Sequence, residues 1–180
     1  DRRGFVLVAD EIQTGLGRMG RFLASEAWPR RPDAVVLGKG LGGGLLPISC
    51  LLGDARLFDR AYGTPETAEL HYSTFGGGSL ACVAALATLE ALDAALLARA
   101  AEARLAERLA SALRGRGAVK AVRGGGLLAG LELAGGGPGS SLGLWLCRRL
   151  LRAGYYTGLC AHDANTVRVG DELVRGCAVG

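Results

Sequence analysis

The sequence predicts an α/β protein, with part of a mostly parallel sheet followed by a small α+β domain. Residues 5–10 and 34–37 are short, continuous apolar runs, typical of parallel strands buried on both faces. Residues 80–91 and 96–114 carry apolar side chains at helical spacing. Beyond residue 116 the pattern is strand, strand, helix, strand, strand, which favours a separate α+β unit.

Each element has its own local signal. A further strand is predicted at 48–52 and a short helix at 54–62. The helix at 80–91 groups its apolar residues on one face: Leu80, Val83, Ala84, Ala87 and Ala91. The stretch 96–114 is predicted as one helix of nearly 30 Å, at about 1.5 Å per residue. We therefore expect a large domain over 1–95, a linking helix over 96–115 and a small domain over 116–180.

The small domain is predicted in more detail. Strands are expected at 119–122 and 127–133, joined by the glycines that follow Arg123. Ser140 or Ser141 is expected to cap a helix that runs to about residue 153. Short strands are expected at Tyr155 and at 166–169.

Composition excludes several classes of function. The net charge of +4 is spread along the chain, whereas a nucleic-acid-binding protein has a basic face or stripe. The two histidines are far apart, so no metal site is expected, and no apolar run is long enough to span a membrane. The five cysteines are widely spaced with no C-x-x-C motif, which indicates a reducing cytoplasm.

Lys39 is the first candidate functional residue. The chain has 21 basic residues, and only Lys39 and Lys120 among them are lysines. Lys39 follows the apolar run 34–37 and lies between Gly38 and Gly40. Lysine can lose its proton and attack a carbonyl to form a Schiff base, whereas arginine stays protonated. The alternative is a lysine at a strand end that extends into water.

Asp10 is the second candidate, because it ends the apolar run 5–10. Ligands of parallel sheets gather outside the carboxyl ends of the strands, where this acid would lie. The alternative is a cap on the turn or helix that follows.

Two glycine-rich segments match the pattern G-x-G-x-x-G, at 15–20 and 38–43. A dinucleotide-binding fingerprint requires a strand, then the glycines, then a helix at once. The first match starts five residues beyond its strand, and the second leads into Pro47, which breaks a helix. Nucleotide binding is therefore disfavoured.

A third glycine-rich segment precedes the helix at 80–91. Thr74 is followed by Phe75 and three glycines, so a hydroxyl and free backbone N–H groups lie before a helix start. This arrangement can bind an anion such as a phosphate. The alternative is a simple helix start with Ser79 as the cap residue.

Taken together, the segments 10–20, 32–44 and 73–77 resemble the class III (ω-type) pyridoxal-phosphate aminotransferases in order and spacing. The segment 123–133 is also similar to the opening of that family's small domain. The segments 42–47 and 70–71 look most like the putrescine- and ornithine-related branch. The resemblance implies a fold-type-I transferase with pyridoxal 5'-phosphate as cofactor.

The resemblance also implies a role for each site residue. Lys39 would form the Schiff base with the cofactor and then move protons. Asp10 would pair with the pyridine nitrogen, Ile12 would pack on the ring, and Gln13 would hydrogen-bond near the ring hydroxyl. Thr74 would bind the phosphate across the interface of a homodimer. Arg168 would bind the substrate carboxylate, while His71 is interpreted as structural.

The implied reaction is transamination between an amine or ω-amino acid and a 2-oxo acid. Two alternatives stay open: an aminomutase or epimerase of the same fold, and a truncated remnant without catalysis. Family members are longer, and we expect this chain to correspond to their C-terminal portion. It departs from the family pattern at Gly78-Ser79, where members have Asn-Pro, and after Arg168, where they are proline-rich and apolar.

Overall fold

A computed structural model describes residues 4–135 and 142–170. The chain divides into two compact units, Asp1–Leu97 and Ala98–Gly180. Among the described residues no single helix is long and apolar enough to cross a membrane, although one bent pair of helices meets the length and composition criteria jointly.

The N-terminal unit is built on a three-stranded sheet in the order β1-β2-β3. The strands are β1 (Val8–Asp10), β2 (Ala34–Leu37) and β3 (Cys50–Gly53). β1 pairs with β2 in parallel, whereas β3 pairs with β2 antiparallel. The apolar runs predicted all three strands, but β1 is shorter than the run 5–10, and Val8 is 51% exposed, so β1 is not buried on both faces as expected. The runs also did not reveal that the edge strand β3 is antiparallel.

The central strand β2 explains why this sheet forms. Ala34 and Leu37 are both 3% exposed, as expected for a strand covered on both faces. Just before the strand, the Asp33 carboxylate accepts a hydrogen bond from the Leu7 N–H at 2.7 Å and pairs with Arg30. These contacts hold the start of β2 against the residues that precede β1, and they lower the pKa of Asp33.

Two helices belong wholly to this unit, α1 (Ala55–Tyr62) and α2 (Ser79–Ala91). Asp54 caps α1 by accepting from the Arg56 N–H at 2.9 Å, close to the predicted start. The predicted buried face of α2 is wrong: Leu80 and Val83 are exposed, while Ala85 enters the core beside Leu41. The apolar residues of α2 occupy all sides of the helix, so their spacing did not single out the buried side.

The single helix predicted over 96–114 is also wrong. The structure has α3 (Ala94–Glu102) and α4 (Leu105–Ala112), with Arg104 between them at φ 43°. The Leu105 N–H donates to the Gly126 carbonyl at 3.0 Å, which ties the start of α4 to the turn between two strands of the C-terminal unit. This tertiary contact ends the helix, although the apolar stripe continues across the break.

The C-terminal unit confirms the predicted order of strand, strand, helix, strand, strand. After α4, its elements are β4 (Val119–Gly125), β5 (Leu128–Leu133), α5 (Leu142–Arg152), β6 (Gly158–Cys160) and β7 (Asp163–Val169). The antiparallel sheet has the order β4-β5-β7-β6, and its core is Leu131, Val167 and Val169.

One predicted strand start differs from the structure, and one predicted helix cap cannot be compared with it. The strand predicted at Tyr155 is wrong, because β6 begins at Gly158 and the Tyr155 N–H donates to the Leu150 carbonyl at the end of α5. The predicted caps Ser140 and Ser141 lie outside the described residues.

Candidate active site

Lys39 follows β2 after one residue, Gly38, and begins a 3-10 helix, Lys39–Gly42. Its φ is 45°, in the left-handed region that few residues other than glycine adopt. The Gly38 carbonyl accepts from the Leu41 N–H at 3.0 Å, which closes the turn, and Leu41 is buried in the core. The backbone that carries Lys39 is therefore anchored, while the lysine itself is exposed.

Asp10 ends the neighbouring strand β1 and pairs in register with Val36. Because β1 and β2 are parallel, their carboxyl ends meet at one edge of the sheet, as ligand sites of α/β proteins require. The Asp10 Oδ1 accepts from the Ile12 N–H at 3.1 Å. Asp10 thus caps the turn after β1, which was its alternative role, and it remains exposed at the same edge.

A cavity of about 580 Å³ lies beside Lys39. Ile12 and Gly38 form part of its wall with Lys39, and a β-carbon built on Gly38 would lie 3.5 Å from the Ile12 side chain. The remaining lining residues are Pro47, Ile48, Ser49, His71, Ser73, Phe75, Gly76, Gly77, Gly78 and Ala81. The cavity therefore lies between the lysine loop, which we define as residues 38–44, and the glycine-rich segment that precedes α2.

That glycine-rich segment is a pair of tight turns. The Gly76 N–H donates to the Ser73 carbonyl at 3.0 Å, and the Gly78 N–H donates to the Phe75 carbonyl at 3.2 Å. A β-carbon on Gly76 would lie 3.1 Å from the Ser73 carbonyl oxygen, so glycine suits this turn. The alternative cap Ser79 is wrong: the cap position is Gly78, without a side-chain hydrogen bond.

The remaining predicted residues have different positions. Thr74 is exposed and lies in the first of these turns, while its neighbours Ser73 and Phe75 line the cavity. Gln13 is half-buried in the turn after Ile12. Arg168 belongs to the C-terminal unit, on β7, where its guanidinium packs over Gly158; a β-carbon built there would lie 3.2 Å from a terminal nitrogen.

The sequence did not single out two polar residues of the cavity and one buried acid. Ser49 and Ser73 bring polar groups to the cavity, and their closeness to the glycine runs was the available signal. His71, which we interpret as structural, also lines the cavity. Glu11 was passed over because it adjoins Asp10, yet it is the more buried acid, with 2% of its surface exposed.

The buried Glu11 carboxylate accepts hydrogen bonds from three donors. They are the Ser25 N–H at 2.7 Å, the Ala24 N–H at 3.2 Å and the Thr14 hydroxyl at 2.5 Å. Burial by itself raises the pKa of Glu11, but the hydrogen bonds from Thr14, Ser25 and Ala24 outweigh it, and the pKa lies below its usual value. Glu11 is therefore a buried carboxylate stabilised in its charged form.

The fold and site together describe an α/β unit with a lysine and an acid at the carboxyl ends of adjacent parallel strands. The family model for class-III aminotransferases matches residues 1–175, so the chain belongs to that family. Members of this family depend on pyridoxal phosphate.

Curated relatives agree with this assignment. A putrescine aminotransferase of Pectobacterium atrosepticum is 44% identical over 92 residues, which are 51% of this chain and 19% of the relative. Ornithine aminotransferase 2 of Staphylococcus aureus is 45% identical over 92 residues, or 51% of this chain and 22% of the relative. The chain therefore matches about a fifth of the length of these relatives.

Solved structures agree as well. An ornithine aminotransferase of Toxoplasma gondii superposes with a TM-score of 0.76 at 34% identity, covering 93% of this chain and 38% of that one. A Bacillus anthracis aminotransferase superposes with a TM-score of 0.79 at 26% identity, covering 94% and 40%. The predicted fold-type-I architecture is confirmed by these neighbours.

The residues present fit pyridoxal phosphate. The cavity lies within the usual range of about 300–1,000 Å³ for small-molecule sites. It offers a lysine, the apolar side chain of Ile12 and a glycine-rich turn at the start of a 13-residue helix. These groups match an aldehyde, an aromatic ring and a phosphate in chemical type.

Proposed function

We propose that this chain forms part of a pyridoxal-phosphate-dependent aminotransferase, which moves an amino group from an amine or ω-amino acid to a 2-oxo acid. The observation that carries the proposal is Lys39, placed after β2 on the wall of a cavity in a chain of this family. The names of the putrescine and ornithine aminotransferases support the class of donor.

Lys39 is the residue to which the cofactor attaches, through its Nζ. Lysine suits this role because a desolvated lysine amine can lose its proton, and can then accept and donate protons in later steps. When bound, pyridoxal phosphate withdraws electrons from the carbon that carries the amino group. The anchored turn below Lys39 holds the backbone fixed while the four-carbon side chain moves.

The residues after β1 hold the ring. Asp10 pairs with the ring nitrogen, so that the nitrogen keeps its proton, and Ile12 packs on the ring face. Gln13 hydrogen-bonds near the ring hydroxyl. Support comes from Asp10 at the strand end and from Ile12 beside Lys39 in the cavity wall.

In a homodimer, Thr74 binds the phosphate of the cofactor that the partner subunit holds. Arg168 binds the substrate carboxylate. The exposure of Thr74, and of Phe75 at 90%, supports an interface at this segment. We assign residues 1–95 to the cofactor-binding large domain, 96–115 to the connection and 116–180 to the small domain. The cysteine pattern of the sequence supports a cytoplasmic location.

The decisive experiment compares Lys39→Ala with Lys120→Ala in the complete gene product. Lys120 is a matched control, because it is the other lysine of these 180 residues and pairs with Glu132 on the sheet of the C-terminal unit. After incubation with pyridoxal phosphate and borohydride reduction, we expect mass spectrometry to find the cofactor on Lys39 in the wild type and in Lys120→Ala. Lys39→Ala should retain none and lose at least about a thousandfold in turnover.

Covalent labelling and turnover that survive in Lys39→Ala would refute the assignment. Product analysis then separates the reaction classes. A transaminase yields a new amino acid from the 2-oxo acid, whereas an aminomutase or epimerase yields an isomer of the donor without a 2-oxo acid acceptor.

A further inference from the structure

Glu11 is the most buried carboxylate in the part of the chain that the structure describes, and it separates two residues of the proposed site. We propose that Glu11 is a positioning residue, whose side chain clamps the loop after β1 and thereby fixes Asp10 and Ile12 against the cofactor ring. This inference rests on the proposed function, because it assigns a role within the same site.

The Glu11 side chain forms the clamp. Both Glu11 carboxylate oxygens accept hydrogen bonds from the segment that starts the 3-10 helix Ala24–Ala27, Oε1 from the Ser25 N–H at 2.7 Å and Oε2 from the Ala24 N–H at 3.2 Å. Oε2 also accepts from the Thr14 hydroxyl. One side chain thus connects Glu11 to residues that lie 13 and 14 positions further along the chain.

The backbone of Glu11 is held as firmly as its side chain. Its N–H donates to the Val36 carbonyl of β2 at 2.9 Å, and its carbonyl accepts from the Gly15 N–H at 2.9 Å. A β-carbon on Gly15 would lie 2.9 Å from that same carbonyl oxygen, so the turn closes this tightly only with glycine. Glu11 therefore has little freedom to rotate.

The clamp acts on the proposed site through the residues on either side of Glu11. Asp10 and Ile12 are the two neighbours of Glu11, and extended residues point alternately to opposite faces. While Glu11 points into the protein, Asp10 is exposed at the strand end and Ile12 lines the cavity with Lys39. A rotation at Glu11 would consequently move both neighbours relative to Lys39.

The chemistry of the side chain explains why a carboxylate is needed. An ionised carboxylate only accepts hydrogen bonds, so it can satisfy all three donors at once. Glutamine has a single acceptor oxygen, and its amide hydrogens would face a backbone N–H. Glu11→Gln therefore keeps the shape of the side chain but leaves at least one buried donor unpaired.

The test uses the complete gene product and four variants. Glu11→Gln breaks the clamp, and Ala24→Pro removes one of its N–H donors while leaving the buried carboxylate. Proline suits the first position of a helix, and Leu23 before it has φ −121° and ψ 136°, which proline accepts. Thr14→Val removes only the hydroxyl. Asp54→Ala removes the cap of α1, a destabilising change elsewhere in the unit.

Three quantities are measured for each variant: the dissociation constant for pyridoxal phosphate, the pH midpoint of the absorbance change of the bound cofactor, and the unfolding midpoint without cofactor. In Glu11→Gln we expect affinity to fall about 10- to 100-fold, the effect of losing hydrogen bonds to a charged group, and the pH midpoint to shift. Ala24→Pro should show a smaller change in the same direction, and it keeps the test valid if Glu11→Gln does not fold. Thr14→Val should change affinity less than about threefold.

Asp54→Ala should lower the unfolding midpoint without altering either cofactor measurement. If Glu11→Gln and Ala24→Pro lower only the unfolding midpoint, as this control does, Glu11 is merely structural and the proposal is overturned. A wild-type protein that does not bind pyridoxal phosphate would overturn the proposed function first, and this inference with it.

Discussion

Three residues of the lysine loop, residues 38–44, have a positive φ: Lys39 at 45°, Gly43 at 65° and Gly44 at 75°. The lysine loop therefore has left-handed backbone near both of its ends. Gly43 is also close to α2, since a β-carbon built on it would lie 2.9 Å from the Thr88 Oγ1. Glycine is needed in this loop for two reasons, the positive φ and the close approach of α2. A pair of substitutions can separate these two requirements.

Gly44→Ala and Gly43→Ala make a matched pair, because both impose left-handed strain and only Gly43 adds a steric conflict. A β-carbon on Gly44 meets nothing within 4 Å. We expect Gly44→Ala to lower the free energy of unfolding by about 1–2 kcal/mol. Gly43→Ala should lower it by about 1–3 kcal/mol more, as overpacking does. Urea denaturation of the apoprotein measures both.

Thr88→Ala combined with Gly43→Ala removes the atom that the new methyl group meets. The double variant should recover most of the excess loss, after allowance for the effect of Thr88→Ala alone. Equal losses in Gly43→Ala and Gly44→Ala would show that α2 does not constrain the loop.

At the residue scale, the sequence predicted chemistry better than contacts. Lys39 stood out because lysine is scarce in this chain, and Asp10 because it ends an apolar run. Both lie at the same edge of the sheet. Glu11 could not be distinguished from Asp10, because the distinction depends on donors that lie 13 and 14 residues further along the chain.

At the scale of elements, the predictions succeeded where local pattern determines structure and failed where tertiary contacts do. β2 has the predicted bounds, and α1 begins one residue after its predicted start. The break before Leu105 is set by a hydrogen bond to Gly126, which no local pattern encodes. The buried side of α2 is set by what packs on it rather than by its nearly uniform apolar surface.

The packing of α5 on β7 gives an element-scale prediction. Gly143 lies in the first turn of α5, and a β-carbon there would lie 2.1 Å from the Ala164 carbonyl oxygen. Alanine gains about 1 kcal/mol over glycine in helix propensity. Since the conflict is with backbone, we expect the steric cost to prevail and Gly143→Ala to destabilise by about 1–3 kcal/mol in thermal or urea unfolding.

Leu144→Ala is the control at the next position of α5. Leu144 is 41% exposed, so its truncation should cost less than Gly143→Ala, even though it removes most of a side chain while Gly143→Ala only adds a methyl group. A stabilised Gly143→Ala protein would mean that helix propensity prevails and that α5 does not approach the sheet so closely.

At the scale of the molecule, the sequence indicated two parts of different character. The structure divides at Leu97, within α3, and the C-terminal part is an antiparallel sheet with helices. A local sequence pattern cannot show what covers the apolar side chains that are exposed in a single chain. Leu70, Tyr72, Phe75, Leu80 and Val83 are between 61% and 90% exposed, in and after the segment that carries Thr74. Such a cluster is typical of an interface.

The homodimer proposal makes a prediction that depends on which subunit supplies each residue. Chains with Lys39→Ala and chains with Thr74→Ala are co-expressed with different tags, and the mixed dimers are purified on both tags. If Thr74 acts across the interface, one site of each mixed dimer carries both defects and the other carries none. We therefore expect mixed dimers to bind the cofactor with wild-type affinity at about half of their sites.

If Thr74 instead serves the site of its own chain, each site of the mixed dimer has one defect. Wild-type affinity would then appear at none of the sites, and turnover would not exceed the Thr74→Ala level. Cofactor titration separates these results, because the first gives half-occupancy at low concentration and the second gives a single weaker phase. The homodimers of each variant provide the reference, so a mixed dimer that binds no better than they do refutes the role of Thr74 across the interface.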